Sequence, residues 1–204
     1  MGNRGGPLHD EAGRIVRTHK SKSWIICLTA FKNRRRKLMQ PGRYTELFFL
    51  DEATALAAGH RPCFECRRKD AQTFAAAMAQ GLGLTSSGIG SDTRLRAQAM
   101  DGLLHTDRRL PHDHPDRRVE PDQLATLPDG TFVSCNEHYF LVRDGSLLRW
   151  RFEGYSPVDG AEIAAMPPFH RLTPAATIAA LRSGYAPGLH PSAVLAAGAS
   201  DPAA

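Results

Sequence analysis

Residues 48–66 read FFLDEATALAAGHRPCFEC, and this stretch decides how the first half of the chain folds. Its aromatic, apolar start is typical of a strand. An acidic pair then opens an alanine-rich run that ends at Gly59. This predicts a short helix over 51–58, because acidic residues favour a helix N-terminus and glycine favours its C-terminal end. The stretch closes on Cys63 and Cys66, so a strand, a helix and a cysteine pair follow one another directly.

The spacing of Cys63 and Cys66 indicates a metal site. Two intervening residues let both thiolates face one point about 2.3 Å away, while backbone amides of the turn donate hydrogen bonds to the sulfurs. A redox pair is the alternative, but thioredoxin-type pairs open a helix after a buried strand, whereas here a helix precedes the pair and basic residues follow it. The chain holds 4 cysteines in 204 residues, too few for a disulfide scaffold. We therefore predict a bound Zn²⁺.

Outward from this stretch, the N-terminal half alternates strands and helices. An apolar segment at 23–31 and the segment 44–50 are strand candidates, and a helix over 69–80 follows the cysteines. A break rich in glycine and serine precedes a further helix that runs from about Ser91 to Leu104. The apolar face of the helix over 69–80 contains Phe74, Ala77 and Met78.

The C-terminal half is predicted as a loop followed by a β-meander. Residues 105–122 are polar and rich in arginine, histidine, aspartate and proline, which predicts a loop. Three segments over 131–152 alternate apolar and polar residues with Asp-Gly turn signals before the first and between the last two, which predicts the meander. A last helix is predicted from a cap at Thr173, with Pro174 in its first turn, to Gly184.

The predicted fold class is α+β, with a small N-terminal zinc module followed by a β-meander and helix region. We divide the chain into a zinc-binding module with a basic arm (1–80), a helix and polar linker (81–122), the meander with its helix (123–192) and a frayed tail (193–204). No apolar run approaches the roughly 20 residues of a membrane helix, and no export signal is present. We therefore expect a soluble, cytoplasmic protein.

Residues 48–66 resemble the zinc-binding domain of the Ada DNA-methylphosphotriester repair protein. The shared pattern is an aromatic-rich strand, a short acidic helix that ends in Ala-Leu-Ala-Ala-Gly, then Arg-Pro-Cys, two residues and Cys. With the preceding strands, the resemblance extends over 14–70. It implies an Ada-like zinc-binding module whose second ligand pair is Cys63 and Cys66.

The resemblance implies that Cys27 is the third ligand, because it is the only cysteine upstream of the pair. The first pair of the Ada-type module is C-x-x-x-C, and here no second cysteine stands four residues before or after Cys27. The fourth ligand must therefore come from elsewhere. His19 is our first choice because it is close in sequence, Cys135 would complete a four-thiolate set, and His60 adjoins the knuckle.

The broken first pair also bears on activity. In the Ada-type module one zinc-bound thiolate attacks a methyl group, and four thiolates give the site a net charge of about −2, which keeps the sulfur electron-rich. Three thiolates and one neutral imidazole give about −1 and a weaker nucleophile. A structural zinc is thus the favoured interpretation, and methyl transfer to Cys27 is the minor alternative.

The basic charge of the chain is local. The net charge is +5, yet residues 1–40 carry ten lysines and arginines against two acids, whereas residues 71–204 carry eleven against fourteen. A basic run of this density can follow a phosphate backbone. We therefore predict zinc-stabilised binding of nucleic acid, with DNA as the expected partner. The residues predicted to bind it are Lys32, Arg34, Arg35, Arg36 and Lys37.

Two other functions stay open. One is an enzyme with its active site in the C-terminal region and the zinc module as a scaffold, and the other is a protein-interaction module. The chain has no P-loop, dinucleotide-binding, zinc-protease or α/β-hydrolase motif. We interpret the histidines and aspartates of 112–116 as a structural loop, and Cys135 with His138 as part of a hairpin.

Overall fold

Two sheets and six α-helices form the described part of the chain, which is a mixed α+β fold as predicted. The computed structural model describes residues 1–33, 37–84 and 95–197. No helix in these ranges has both the length and the apolarity that crossing a membrane requires. The strands are β1 (Gly2–Asn3), β2 (Ile25–Ile26), β3 (Arg61–Pro62), β4 (Arg118–Val119), β5 (Phe132–Cys135), β6 (His138–Arg143), β7 (Ser146–Arg151), β8 (Gly154–Pro157) and β9 (Phe169–Arg171). The helices are α1 (Glu52–Ala57), α2 (Arg68–Gly81), α3 (Ala97–Arg108), α4 (Gly160–Ala164), α5 (Ala175–Arg182) and α6 (Pro191–Ala197).

The small N-terminal sheet has the order β1-β2-β3, with β1 antiparallel and β3 parallel to β2. The predicted strand at 23–31 is reduced to the two residues of β2. The predicted strand at 44–50 is reduced to one bridge, between Leu47 and Gly2. Thr45 explains the second difference, because its buried hydroxyl accepts the backbone N–H of Leu8 at 2.8 Å and so replaces a strand partner.

The two predicted helices around the cysteine pair are confirmed. Asp51 caps α1 by accepting the backbone N–H of Thr54 at 2.8 Å, and Gly59 after its end has a φ of +79°. The predicted apolar face of α2 is buried in a core shared with α3 and α5. This core contains Phe74, Ala77, Met78, Met100, Leu104 and Leu181.

The larger sheet has the order β4-β9-β5-β6-β7-β8, and every pairing that the structure gives in it is antiparallel. The predicted meander is confirmed as β5 to β7, and β8 extends it by one strand that the sequence did not indicate. The strand β9, which the sequence also did not indicate, inserts between β4 and β5. Its three residues are too short a segment to show an alternating pattern.

Two predictions for irregular chain are wrong in part. The predicted loop 105–122 instead extends α3 to Arg108 and then supplies β4. Buried ion pairs explain why this polar segment is ordered. The carboxylate of Asp107 binds both Arg117 and Arg171, and all three residues are buried. Within the predicted tail, α6 packs Ala193 and Ala196 against the sheet, while residues 198–204 lie outside the described ranges.

The start of the last helix also differs from the prediction. Pro174 is the cap residue of α5, because the hydroxyl of Thr173 accepts the backbone N–H of Phe132 at 2.8 Å instead. This bond holds the helix against β5. Since α5 in turn shares its core with α2, the C-terminal region contributes directly to the core beneath the cysteine pair.

Candidate metal centre

Three of the four cysteines lie together at one end of the small sheet. The sulfur atoms of Cys27, Cys63 and Cys66 all lie within 4.8 Å of one another. Cys27 directly follows β2 and Cys63 directly follows β3, and these strands are parallel, so both residues leave the sheet at the same end. The backbone N–H of Cys63 donates to the carbonyl of Ile26 at 3.0 Å and fixes this register. The structure thus brings together the three predicted cysteines.

Backbone amides surround the cysteine sulfurs as expected for a metal knuckle. The N–H of Glu65 donates to the Cys63 sulfur at 3.4 Å, and the N–H of Leu28 donates to the Cys66 sulfur at 3.3 Å. Hydrogen bonds of this kind stabilise negative charge on sulfur and orient metal ligands. The turn is continued into α2 by the N–H of Arg67, which donates to the carbonyl of Cys63 at 3.0 Å.

The thiols of the cluster differ in acidity. The pKa of Cys63 is lowered to about 5, chiefly because the Cys27 thiol donates a hydrogen bond to it. The same bond, together with burial, raises the pKa of Cys27, and burial raises the pKa of Cys66. One thiolate therefore forms readily and opposes ionisation of its neighbours. A divalent cation would offset this repulsion, so the donor set fits a thiolate-binding metal.

The cluster opens onto a cavity of about 330 Å³. All three cysteines line it, together with aromatic rings from Phe31 and Phe48. The Phe48 side chain is 60% exposed, so the mouth of the cavity has an apolar rim. Within the described ranges, no histidine, aspartate, glutamate or further cysteine joins the three sulfurs as a fourth ligand. The cavity gives molecules from outside access to the sulfurs.

None of the three candidates for the fourth ligand lies in the cluster. His19, our first choice, instead packs beside Trp24, with their ring centroids 5.7 Å apart. The backbone N–H of Lys20 donates to the carbonyl of Arg4 and holds this segment away from the cysteines. Cys135 is buried in β5, where its thiol lies 3.6 Å from the carbonyl oxygen of Pro167. The positions of these residues depend on contacts between distant segments, which local sequence patterns do not indicate.

His60 is the third candidate, and it is completely buried. Its ring lies between Trp24 and Phe49, with centroid distances of 5.3 and 4.9 Å. Neither ring nitrogen has a hydrogen-bond partner. Burial lowers the pKa of His60 to about 3, so the imidazole is neutral at ordinary pH.

The predicted basic run is attached to the cavity at both ends. Phe31 and Leu38, the residues on either side of 32–37, both line the cavity that holds the sulfurs. Lys32 and Lys37 are exposed. The other three basic residues of the run, Arg34, Arg35 and Arg36, lie outside the described residues.

The remaining sequence candidates have structural partners. His112 contacts the Ser134 hydroxyl through Nε2 at 2.8 Å, but Ser134 is fully buried and also bonds to the carbonyl of His170, so this pair is not an accessible nucleophile. Cys135 pairs with His138 across a hairpin, as predicted. No second group of three or more metal-ligand side chains occurs in the described part of the chain.

Comparison with known proteins gave no match, since no protein-family model fits the chain and no curated protein or solved structure is significantly similar to it. The Ada resemblance of residues 48–66 therefore stays a prediction. The function has to be argued from the geometry and chemistry of the site itself.

Proposed function

We propose that this protein binds one Zn²⁺ through Cys27, Cys63 and Cys66 and uses the metal to hold a nucleic-acid-binding segment at 32–37. The observation that carries the proposal is that the three sulfurs share one cavity with Phe31 and Leu38, the residues that flank the basic run. In this proposal the site is Ada-like in its cysteine pair and differs from the Ada-type module in having three cysteine ligands.

The choice of zinc follows from the donors. Thiolates are soft ligands that favour zinc over magnesium or calcium, and a cysteine pair with two intervening residues is a common half of a zinc site. A bound Zn²⁺ supplies positive charge that offsets the repulsion among three thiolates. It also joins the end of β2 to the turn before α2, two segments that are otherwise connected by very short strands.

The choice of nucleic acid follows from the segment that leaves the metal site. Cys27 lies four residues before Phe31, so a metal at Cys27 restrains the start of the basic run. A restrained cluster of cations loses less conformational entropy on binding than a free one. Lysines and arginines at 32–37 would contact phosphates, and the apolar rim at Phe48 would contact sugars or bases.

Measurement of zinc content together with oligonucleotide binding tests the proposal. Protein purified without added metal should contain about one zinc per chain, and chelation should weaken its binding to a short duplex. Absence of zinc, or duplex binding that is unchanged when all zinc has been removed, would contradict it.

Alkylation of a cysteine is a second candidate function, favoured by the position of two thiols. Cys27 and Cys66 are partly exposed and line the cavity, whereas Cys63 is buried. In such a reaction a thiolate sulfur forms a bond to the methyl carbon of a phosphotriester, and the C–O bond breaks with its electron pair going to the phosphate oxygen. Mass spectrometry after incubation with methylated DNA tests this, since peptides containing Cys27 should gain one methyl group.

A further inference from the structure

A second cavity, of about 440 Å³, lies away from the cysteines. Its walls include the aromatic side chains of Trp24, Phe132, Tyr139 and Trp150. Its volume is in the range of small-molecule sites in proteins. The cationic residues Arg108 and Arg117 also line it, whereas no aspartate or glutamate does.

Two aromatic rings form an accessible wall of this cavity. Tyr139 on β6 and Trp150 on β7 lie edge to face, with their ring centroids 6.1 Å apart. Tyr139 is 44% exposed, so its ring is accessible from the solvent. The buried indole N–H of Trp150 has no hydrogen-bond partner. An open aromatic wall of this kind suits a planar ring.

The arginine side of the cavity carries charge without a carboxylate partner. The guanidinium groups of Arg4 and Arg108 stack on the Trp24 ring at 3.9 and 4.1 Å from its centroid. Arg108 donates to the carbonyls of Gly59 and Lys22 at 2.6 and 2.9 Å, and neither arginine pairs with an acid in the described ranges. Burial is the largest cause that lowers the pKa of Arg108 to about 10, and Arg4 lowers it further, while the more distant carboxylates of Asp101 and Asp107 raise it.

Further cations surround this arginine, whereas the second arginine of the wall is already neutralised. Lys22 and Arg109 are exposed, and both are close enough to His105 to lower its pKa together with Arg108, although burial is the largest cause of that shift. Arg117 is bound to Asp107 at 3.3 Å and is therefore structural. Of the two arginines that line the cavity, Arg108 is therefore the one without an ion pair among the described residues.

We propose that this cavity binds a nucleotide, with its base against Tyr139 and Trp150 and its phosphate at Arg108. An apolar ligand would leave the arginine charge unbalanced, and a simple anion would leave the aromatic wall exposed to water. A nucleotide satisfies both, because it combines a planar ring with a phosphate. The ligand is either a free nucleotide or an unpaired base of a strand. None of the three clustered cysteines lines this site.

Tryptophan fluorescence tests the proposal directly, because the chain has two tryptophans and both line this cavity. Titration with AMP should quench the emission to a plateau, and adenosine and inorganic phosphate should each bind at least about tenfold more weakly than AMP. A short single-stranded oligonucleotide identifies the source: tighter binding than AMP assigns the site to an unpaired base, and weaker binding assigns it to the free nucleotide. Absence of saturation by either ligand up to about 10 mM overturns the proposal.

Two variants and two matched controls locate the binding site. Tyr139→Ala should weaken AMP binding about tenfold through loss of the aromatic wall, and Arg108→Gln should remove the preference for AMP over adenosine. The controls are Phe48→Ala, an aromatic residue that is 60% exposed and lines the other cavity, and Arg182→Gln, an exposed cation that does not line this cavity. Circular dichroism verifies folding of each variant. If both Tyr139→Ala and Arg108→Gln bind AMP like the wild type, the nucleotide lies elsewhere and the proposal is wrong.

Comparison with the basic run separates this inference from the proposed function. Replacing Arg34, Arg35 and Arg36 by alanine should weaken duplex binding and leave quenching by AMP unchanged. Loss of duplex binding in that variant with intact AMP binding supports both proposals. If the wild-type protein binds the duplex but not AMP, only the nucleotide site is contradicted.

Discussion

The carboxylate of Glu52 accepts a hydrogen bond of 2.7 Å from the hydroxyl of Tyr185, which is 133 positions away in the sequence. The same carboxylate binds Arg67 at 2.8 Å and accepts the backbone N–H of Gly188 at 3.0 Å. Arg67 lies directly after Cys66. The first turn of α1 therefore links the cysteine turn to the chain that follows α5.

Loss of this link should destabilise the whole fold. Glu52→Ala is expected to lower the free energy of unfolding by about 3 kcal/mol, because it removes the more buried partner of Arg67 together with the acceptor of Tyr185 and Gly188. Tyr185→Phe should cost about 1 kcal/mol, the value of one hydrogen bond. Urea denaturation measures both, with Asp70→Ala as a control that removes the more exposed partner of Arg67. Equal losses for Glu52→Ala and Asp70→Ala would contradict this assignment.

Metal binding should depend on the three clustered cysteines and not on the fourth. Cys63→Ser is expected to abolish zinc binding and to unfold the N-terminal half, because binding energy at such sites, of order 10 kcal/mol, is largely folding energy. Cys135→Ser should keep its zinc, since Cys135 lies in the other sheet. Elemental analysis measures the zinc content of both variants. The ligand set would be refuted if Cys135→Ser lost its zinc while Cys63→Ser kept it.

Acid should destabilise the protein through His60. The pKa of this residue is about 3 in the folded protein, and its ordinary value is 6.5. Between these two values the unfolded state binds a proton that the folded state does not bind, so the unfolding free energy falls as the pH falls, by up to about 1.4 kcal/mol per pH unit. This loss is absent above about pH 6.5, where both states are neutral.

Comparison of wild type with His60→Leu isolates this effect. Acid also protonates the cysteines, but that contribution is common to both proteins and cancels in the difference. The variant should show a shallower decline in stability between pH 6.5 and pH 4, measured by urea denaturation at each pH. His138→Leu, which removes an exposed histidine, should behave like the wild type. Parallel stability curves for His60→Leu and wild type would exclude His60 as the cause.

Duplex binding should show a salt dependence set by the basic run. If four or five of its charges contact phosphates, the logarithm of the affinity should fall against the logarithm of salt with a slope of about −4. Replacing Arg34, Arg35 and Arg36 by alanine should reduce that slope by up to about 3. The control removes three exposed arginines of the C-terminal half, Arg118, Arg151 and Arg182, and so changes the net charge equally. Fluorescence anisotropy at several salt concentrations measures both slopes, and equal slopes for the two triple variants would mean that the run has no specific role.

The sequence predicted those parts of the fold that depend on local patterns. The helix capped by Asp51, the apolar face of α2 and the Asp-Gly turns of the meander are all determined by residues within a few positions of one another. The cysteine pair is local in the same sense. Cys27 was placed with it through the family resemblance, because its position depends on pairing between β2 and β3.

The parts that the sequence did not predict depend on distant partners. Asp107 converts a polar stretch into ordered structure only because Arg117 and Arg171 reach it from other segments. The helix α6 is stable because Ala193 finds an apolar surface on the larger sheet. His19 was predicted as a ligand from its proximity in sequence, whereas contacts of its neighbours with Arg4 determine where it lies.

Because β2 pairs with β3 in parallel, metal binding by the three cysteines would require the correct register of these strands. Each strand is two residues long, so the hydrogen bonds between them discriminate poorly between alternative alignments. A slip of one residue would move Cys27 by about 3.3 Å and turn its side chain to the opposite face of the sheet. Only the correct alignment then offers three sulfurs to one ion. Zinc would thus select the native alignment during folding, and a chain that folds without it would have no equivalent means of correcting the error.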